Sequence, residues 1–144
     1  MAIKQSEWGQ LRKQAPVSGE AGGVVAEKYK FVVTADLAAN DIIELGVLPA
    51  YHTVVEAILV TDEIGTATFD VGIMSGTLGS PDQARTCGNE LFAGVADASV
   101  VRLSKLSAFR IPPVEGDRAI GLKVLGAGIT QAGQVIELVL FTKQ

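Results

Sequence analysis

The sequence of 144 residues is poor in the side chains that build most catalytic and metal sites. It has one cysteine and one histidine, which excludes a disulfide scaffold and a zinc site made mainly from these two residue types. Aromatic residues make up only 6% of the chain, with a single tryptophan. This low content argues against a sugar-binding face of stacked rings and against a stacking platform for single-stranded nucleic acid.

Charge and long apolar runs are scarce as well. Charged residues make up 19% of the chain and the formal net charge is -4, so we expect no nucleic acid as a partner. No stretch approaches the roughly 18 uninterrupted apolar residues that a membrane helix needs. Residues 1–8 lack the apolar core of a signal peptide. We therefore expect no membrane partner and synthesis in the cytoplasm.

Hydrophobic residues, at 48%, are abundant enough for one domain with its own core. They form short runs separated by turn residues, and residues 24–34 alternate, with Tyr29 and Val33 on one face and Lys28 and Lys30 on the other. Further strands are predicted at 41–46, 54–61, 66–74, 100–103, 119–125 and 134–142. About eight strands predict an all-β jelly roll or β-sandwich over residues 24–144.

Two local details follow from the same pattern. The runs at 54–61 and 66–74, joined by a tight connection at 62–65, are expected to form a hairpin. Residues 75–98 break the strand pattern. There, Ser80, Pro81 and Gln83 have the arrangement of a helix start and Gly88 that of a helix end, which predicts one short helix.

Residues 1–23 differ from the rest because they show no sustained period, and we interpret them as an extended N-terminal arm. Residues 1–30 hold five basic and three acidic residues, whereas the remainder is acidic. Within the arm, Trp8, Leu11, Arg12 and Lys13 are predicted to bind a partner surface, because no local core exists there to bury the tryptophan. The alternatives are an arm that folds back on its own domain, or a disordered tryptophan.

No residue pattern predicts catalysis, and we expect neither a cofactor nor a metal. His52 is expected to be an exposed loop residue. Cys87 is expected to be an inert thiol: Arg85 is near it in sequence, but Cys87 stands at the predicted C-terminal end of a helix, and a helix N-terminus is what would activate a thiol. The acidic residues lack the spacing of a calcium site, and we interpret them as solvated turn carboxylates: Asp36, Asp41, Glu44, Asp62, Glu63 and Asp70. The 16 glycines include no phosphate-binding loop.

Three runs of the chain stand in a distinctive order. Residues 39–50 read ANDIIELGVLPA, residues 54–60 read VVEAILV and residues 68–72 read TFDVG. This order resembles the jelly-roll decoration (cement) proteins of tailed-bacteriophage heads. The resemblance implies a homotrimer that binds the major capsid protein at local three-fold positions, on the outside of the virion head. It also implies a non-enzymatic role, reinforcing the joints between shell subunits.

Two other classes of function stay open at this point. One is a phage tail or fibre component with a receptor-binding jelly roll. The other is an enzyme, such as a trimeric β-fold nucleotide hydrolase, although the chain has no matching catalytic motif. The low aromatic content argues against carbohydrate contact, and fold by itself does not determine function.

Overall fold

A computed structural model of the chain describes residues 2–15, 23–63, 67–96, 99–126 and 133–144. These residues form nine strands and one short helix, in two sheets. The elements in chain order are β1 (Ile3–Gln5), β2 (Val24–Val32), β3 (Ile42–Leu48), β4 (Thr53–Thr61), β5 (Thr68–Ile73), β6 (Phe92–Ala96), β7 (Val100–Arg102), α1 (Leu106–Phe109), β8 (Arg118–Leu125) and β9 (Val135–Lys143).

The two sheets confirm the predicted jelly roll. One sheet has the order β1-β3-β8-β5-β6 and the other has the order β2-β9-β4-β7. Four antiparallel pairs are nested along the chain: β2 with β9, β3 with β8, β4 with β7, and β5 with β6. The chain from β2 to β9 is thus a long antiparallel hairpin that folds over itself into two facing sheets.

The alternation in β2 is as predicted. Tyr29 and Val33 are fully buried, whereas Lys28 and Lys30 are exposed on the opposite face. Between the sheets, a single large cluster of buried side chains takes residues from almost every strand. A smaller cluster of Ile42, Met74 and Ala119 is buried separately from it.

Two predicted details are wrong. The runs that form β4 and β5 are not a hairpin, because these strands belong to different sheets and the chain crosses the sandwich between them. Residues 64 and 65 of the predicted connection, and residue 66 of the strand predicted to follow it, lie outside the described residues. The predicted helix at 80–88 is absent as well. That segment is a loop with isolated turns and a bridge from Cys87 to Met74, and the short helix lies at α1 instead.

Residues 2–15, which we call the N-terminal segment, are docked on the body. β1 adds to the edge of the five-stranded sheet as a parallel partner of β3, with Ile3 opposite Ile42. Trp8 is only 5% exposed and lies in the main core cluster, with its ring 4.9 Å from that of Tyr29 in an edge-to-face arrangement. The described part of the predicted arm thus has a core to bury its tryptophan, supplied by other parts of the chain. Residues 16–22 of that arm lie outside the described residues.

A buried ion pair holds this segment in place. Glu44 of β3 is fully buried and forms a salt bridge with Arg85, whose side chain is 2% exposed. The other carboxylate oxygen, Oε1, accepts hydrogen bonds from the Gln5 side chain at 2.9 Å and from the Gly79 amide at 3.1 Å. Arg85 in turn donates to two backbone carbonyls of its own loop. One carboxylate therefore ties together β1, β3 and the 75–90 loop.

Gly46 allows the tyrosine of β2 to close the core. A β-carbon at this position would lie 2.6 Å from the Tyr29 ring, which is closer than packed atoms come. The register of β3 against β8 also shifts between Glu44 and Gly46. The Tyr29 hydroxyl donates to the Val47 carbonyl at 2.9 Å, so the ring has little freedom to move away. The backbone of β3 therefore needs a residue without a side chain here.

Gly46→Ala is expected to destabilise the fold by about 1–3 kcal/mol, because the added methyl group overpacks the Tyr29 ring. The free energy of unfolding in urea measures this. Gly126→Ala, where nothing lies within 4 Å but the backbone has positive φ, is a control for backbone strain alone. Rescue of Gly46→Ala by Tyr29→Leu would locate the clash on the ring, whereas no rescue would contradict it.

Glu44→Gln is expected to cost about 3–5 kcal/mol, because it leaves the Arg85 charge buried without its counter-ion. The matched control is Glu56→Gln, which removes an exposed salt bridge of 3.0 Å to Arg102. That change should cost less than about 1 kcal/mol. Equal losses of unfolding free energy in the two variants would show that the buried pair has no special role.

Candidate partner-binding cleft

A cleft of about 730 Å³ lies between the N-terminal segment and β2. One wall is formed by residues 5–13 except Gly9 and Leu11. The other wall is formed by Lys28, Lys30, Phe31 and Val32 of β2, with Thr34 beyond the strand. Glu137 of β9 completes the lining. The cleft therefore lies at an open edge of the sandwich, where the last strand of one sheet faces the segment docked on the other.

The cleft carries more positive than negative charge, although the protein as a whole is acidic. Its cations are Arg12, Lys13, Lys28 and Lys30, against two carboxylates. Lys13 pairs with Glu7 at 3.1 Å, and Lys28 pairs with Glu137 at 2.9 Å. Among the described residues, no carboxylate lies within salt-bridge distance of Arg12 or Lys30.

Of the four residues predicted to bind a partner, Trp8, Arg12 and Lys13 line the cleft and Leu11 does not. Trp8 is buried in the main core and also lines the cleft, which corrects the expectation that no core is available to bury it and agrees with the alternative that the arm folds back on its own domain. Lys13 lies over its ring, with the ammonium group 4.4 Å from the centroid. Arg12 is exposed at the cleft, whereas Leu11 is 61% exposed and packs toward Gly79. Partner binding by these residues stays a prediction.

The sequence analysis did not single out Lys28 and Lys30 as site residues. Their placement on the polar face of an alternating strand was predicted, but nothing in the pattern indicated that the N-terminal segment would lie opposite them. The only signal in the sequence was the basic excess of residues 1–30, which the fold gathers in one place.

His52 is not the exposed loop residue that was expected. It is 3% exposed, and its Nδ1 shares a hydrogen bond of 2.9 Å with the Thr142 hydroxyl. Burial lowers the pKa of His52, while the negative charge of Asp117 acts weakly in the opposite direction. A neutral imidazole bound to a threonine at the end of β9 has a structural role.

Cys87 has the surroundings of an inert thiol. Burial raises its pKa to about 12, and nearby carboxylates act in the same direction. Because the thiolate is the nucleophilic form, this thiol is protonated at neutral pH and is a poor nucleophile.

The expectation of solvated turn carboxylates is wrong for Asp41 and Glu44, which are buried. Several of the acidic residues bind backbone amides. Asp41 accepts from the amides of Ala2 and Ala38 at 2.8 and 2.9 Å, and Asp70 accepts from Gly94 at 2.8 Å. Asp62 accepts from the Val135 amide at 2.8 Å. Across the described ranges, no three His, Cys, Asp or Glu side chains are close enough to hold a metal ion.

Within the residues that the structure describes, the one helix, α1, is a single turn. No helix there is long and apolar enough to cross a membrane.

Comparison with known proteins gives two solved structures of similar fold. Neither a family model nor a curated protein matches the chain. A chain from the structure described as the cyanophage Pam1 capsid asymmetric unit superposes with a TM-score of 0.59. Its identity is 21%, and the match covers 92% of each chain, so it supports the fold alone.

A chain from the structure of the capsid of Ralstonia phage GP4 is much more similar. It superposes with a TM-score of 0.92 and is 46% identical, over 99% of this chain and 98% of that one. Identity at this level across both whole chains exceeds what a shared fold would require. The chain described above therefore belongs to the same family as this component of the Ralstonia phage GP4 capsid, a family of phage capsid proteins.

Proposed function

We propose that this protein is a capsid decoration (cement) protein, which binds the outside of a phage head as a homotrimer and reinforces the joints between shell subunits. The observation that carries the proposal is the 46% identity, over nearly the whole of both chains, with a component of the Ralstonia phage GP4 capsid. The resemblance of residues 39–72 to cement proteins supports the finer role.

The fold provides the rigidity that a cement protein requires. The sandwich has a continuous core, and β3 is buried along its whole length. A cement protein gains strength from many copies that each make modest contacts, because linked contacts raise the effective concentration of one another. A rigid body makes those contacts at fixed spacings, and so resists the opening of a joint under pressure from packaged DNA.

Exposed apolar side chains offer a surface for self-association. Leu106 and Phe109 of α1 are 62% and 49% exposed, and their spacing of three residues brings them to one face of the helix. Val100 of the edge strand β7 is 69% exposed. Large exposed apolar residues mark contact surfaces when they cluster. We assign the contact between trimer subunits to the α1 face.

The trimer predicts a molar mass of three times the 15.0 kDa chain by light scattering after size exclusion. Replacing Leu106 and Phe109 with serine should shift dissociation to concentrations about tenfold higher or more, because apolar burial is lost in every subunit. Val55→Ser removes an exposed apolar side chain from β4 and is the matched control. A monomeric native protein at high concentration would refute the trimer.

Cement activity predicts that phage particles lacking this protein release their DNA at lower temperature than complete particles. Adding back purified protein should restore the release temperature, and dye fluorescence during heating measures it. Immunogold labelling or particle reconstruction should find the protein on the head. Label on the tail, with no change in release temperature, would favour the receptor-binding tail or fibre alternative instead.

A further inference from the structure

The outer edge of β2 has backbone groups without a strand partner. β2 is the last strand of its sheet and pairs only with β9 in the part of the chain that the structure describes. Val33, just beyond it, directs both backbone groups toward the β9 side: its amide donates to the Gln134 carbonyl at 2.9 Å, and its carbonyl accepts from the Gly133 amide at 2.6 Å. Backbone direction alternates along a strand, so Lys28, Lys30 and Val32 direct theirs away from β9.

One hydrogen bond supports this assignment. The Lys28 amide donates to the side chain of the preceding residue, Glu27, at 3.1 Å, and not to the backbone of β9. Lys28, Lys30 and Val32 are also the β2 residues that line the cleft together with Phe31. The free edge of β2 therefore opens into the cleft, and the N-terminal segment forms its opposite wall.

The charges around this edge are only partly neutralised. Lys13 and Lys28 have carboxylate partners within the cleft, whereas Arg12 and Lys30, on opposite walls, have none among the described residues. An acidic protein with two exposed, unpaired cations facing one open strand edge has the features to bind an anionic chain. Arginine adds geometric selectivity because its guanidinium binds a carboxylate with two parallel hydrogen bonds.

We propose that the β2 edge binds an extended acidic segment of a shell subunit as an added strand, with Arg12 and Lys30 pairing its carboxylates. The shell as the source of the segment rests on the proposed function. Strand addition uses backbone hydrogen bonds for affinity and side-chain contacts for specificity. Strand addition also covers the β2 edge, whose unpaired backbone groups could otherwise form hydrogen bonds with strands of other chains.

The edge is tested with a pair of variants at Val32. Val32→Pro removes an outward-facing amide without removing a hydrogen bond to β9, and proline is tolerated on edge strands. Val32→Thr keeps both the amide and the strand-forming shape, and is the matched control. Phage particles lacking this protein are mixed with each variant and sedimented. We expect Val32→Pro to bind about tenfold more weakly and Val32→Thr to bind like the native protein.

The charges are tested with two double variants that change the net charge equally. Arg12→Glu with Lys30→Glu reverses the two cations of the cleft that have no carboxylate partner among the described residues. Lys123→Glu with Lys143→Glu reverses two cations that lie outside both the cleft and α1. The cleft variant should lose particle binding by tenfold or more, and the native interaction should weaken as salt rises. The control variant should bind within about twofold of the native protein. Fluorescence of the sole tryptophan, Trp8, and circular dichroism establish that all four variants are folded.

The outcomes separate this inference from the function it rests on. Native protein that fails to bind the particles would overturn the proposed function, and with it the shell as the source of the strand. Native binding with unchanged binding by Val32→Pro and by the cleft variant would overturn the added strand alone. If these variants instead lower the molar mass of the free protein, the occupant of the edge is a second copy, and the acidic shell segment is wrong.

Discussion

The buried carboxylate of Glu44 is the contact on which the functional surface depends. It sits on a strand with no exposed residue, and a charge in that position is stable only with a counter-ion and hydrogen bonds. Arg85 supplies the counter-ion from the 75–90 loop, and Gln5 supplies a hydrogen bond from the N-terminal segment. Three distant stretches of chain are thereby held against one another. Because the N-terminal segment forms one wall of the cleft, the ion pair also determines where Arg12 stands.

The jelly-roll topology determines where the sandwich is open. Folding a long antiparallel hairpin into two sheets leaves each sheet with two end strands, and β2 is one of them. β1 covers the corresponding edge of β3, but its three residues leave the facing edge of β2 unpaired within the described residues. The cleft therefore lies between the edge of β2 and the N-terminal segment, which belongs to the other sheet.

A shell component can combine a rigid core with edges that are available for contacts to other subunits. The core resists deformation because its side chains fill the space between the sheets. The contacts of the proposed assembly lie at the rim instead, on α1 and along β2. His52 and Cys87, the residues most suited to chemistry by type, are both occupied in packing. Two cations without a carboxylate partner in the described part of the chain, Arg12 and Lys30, lie beside the edge of β2.

The sequence by itself determined seven of the nine described strands and the class of fold, because alternation such as that around Tyr29 is a local property of two-residue period. It also indicated that Lys28 and Lys30 lie on a polar face. It did not indicate β1 or β6, which lie in stretches without a sustained strand pattern. Only the tertiary structure decided that β4 and β5 belong to different sheets, since local pattern does not record which strand lies beside which. It likewise decided the burial of Trp8 and His52 and the loss of the helix signal at 80–88, where Arg85 turns inward to Glu44. Each of these depends on contacts between residues far apart in the chain, whose free energy outweighs local preference.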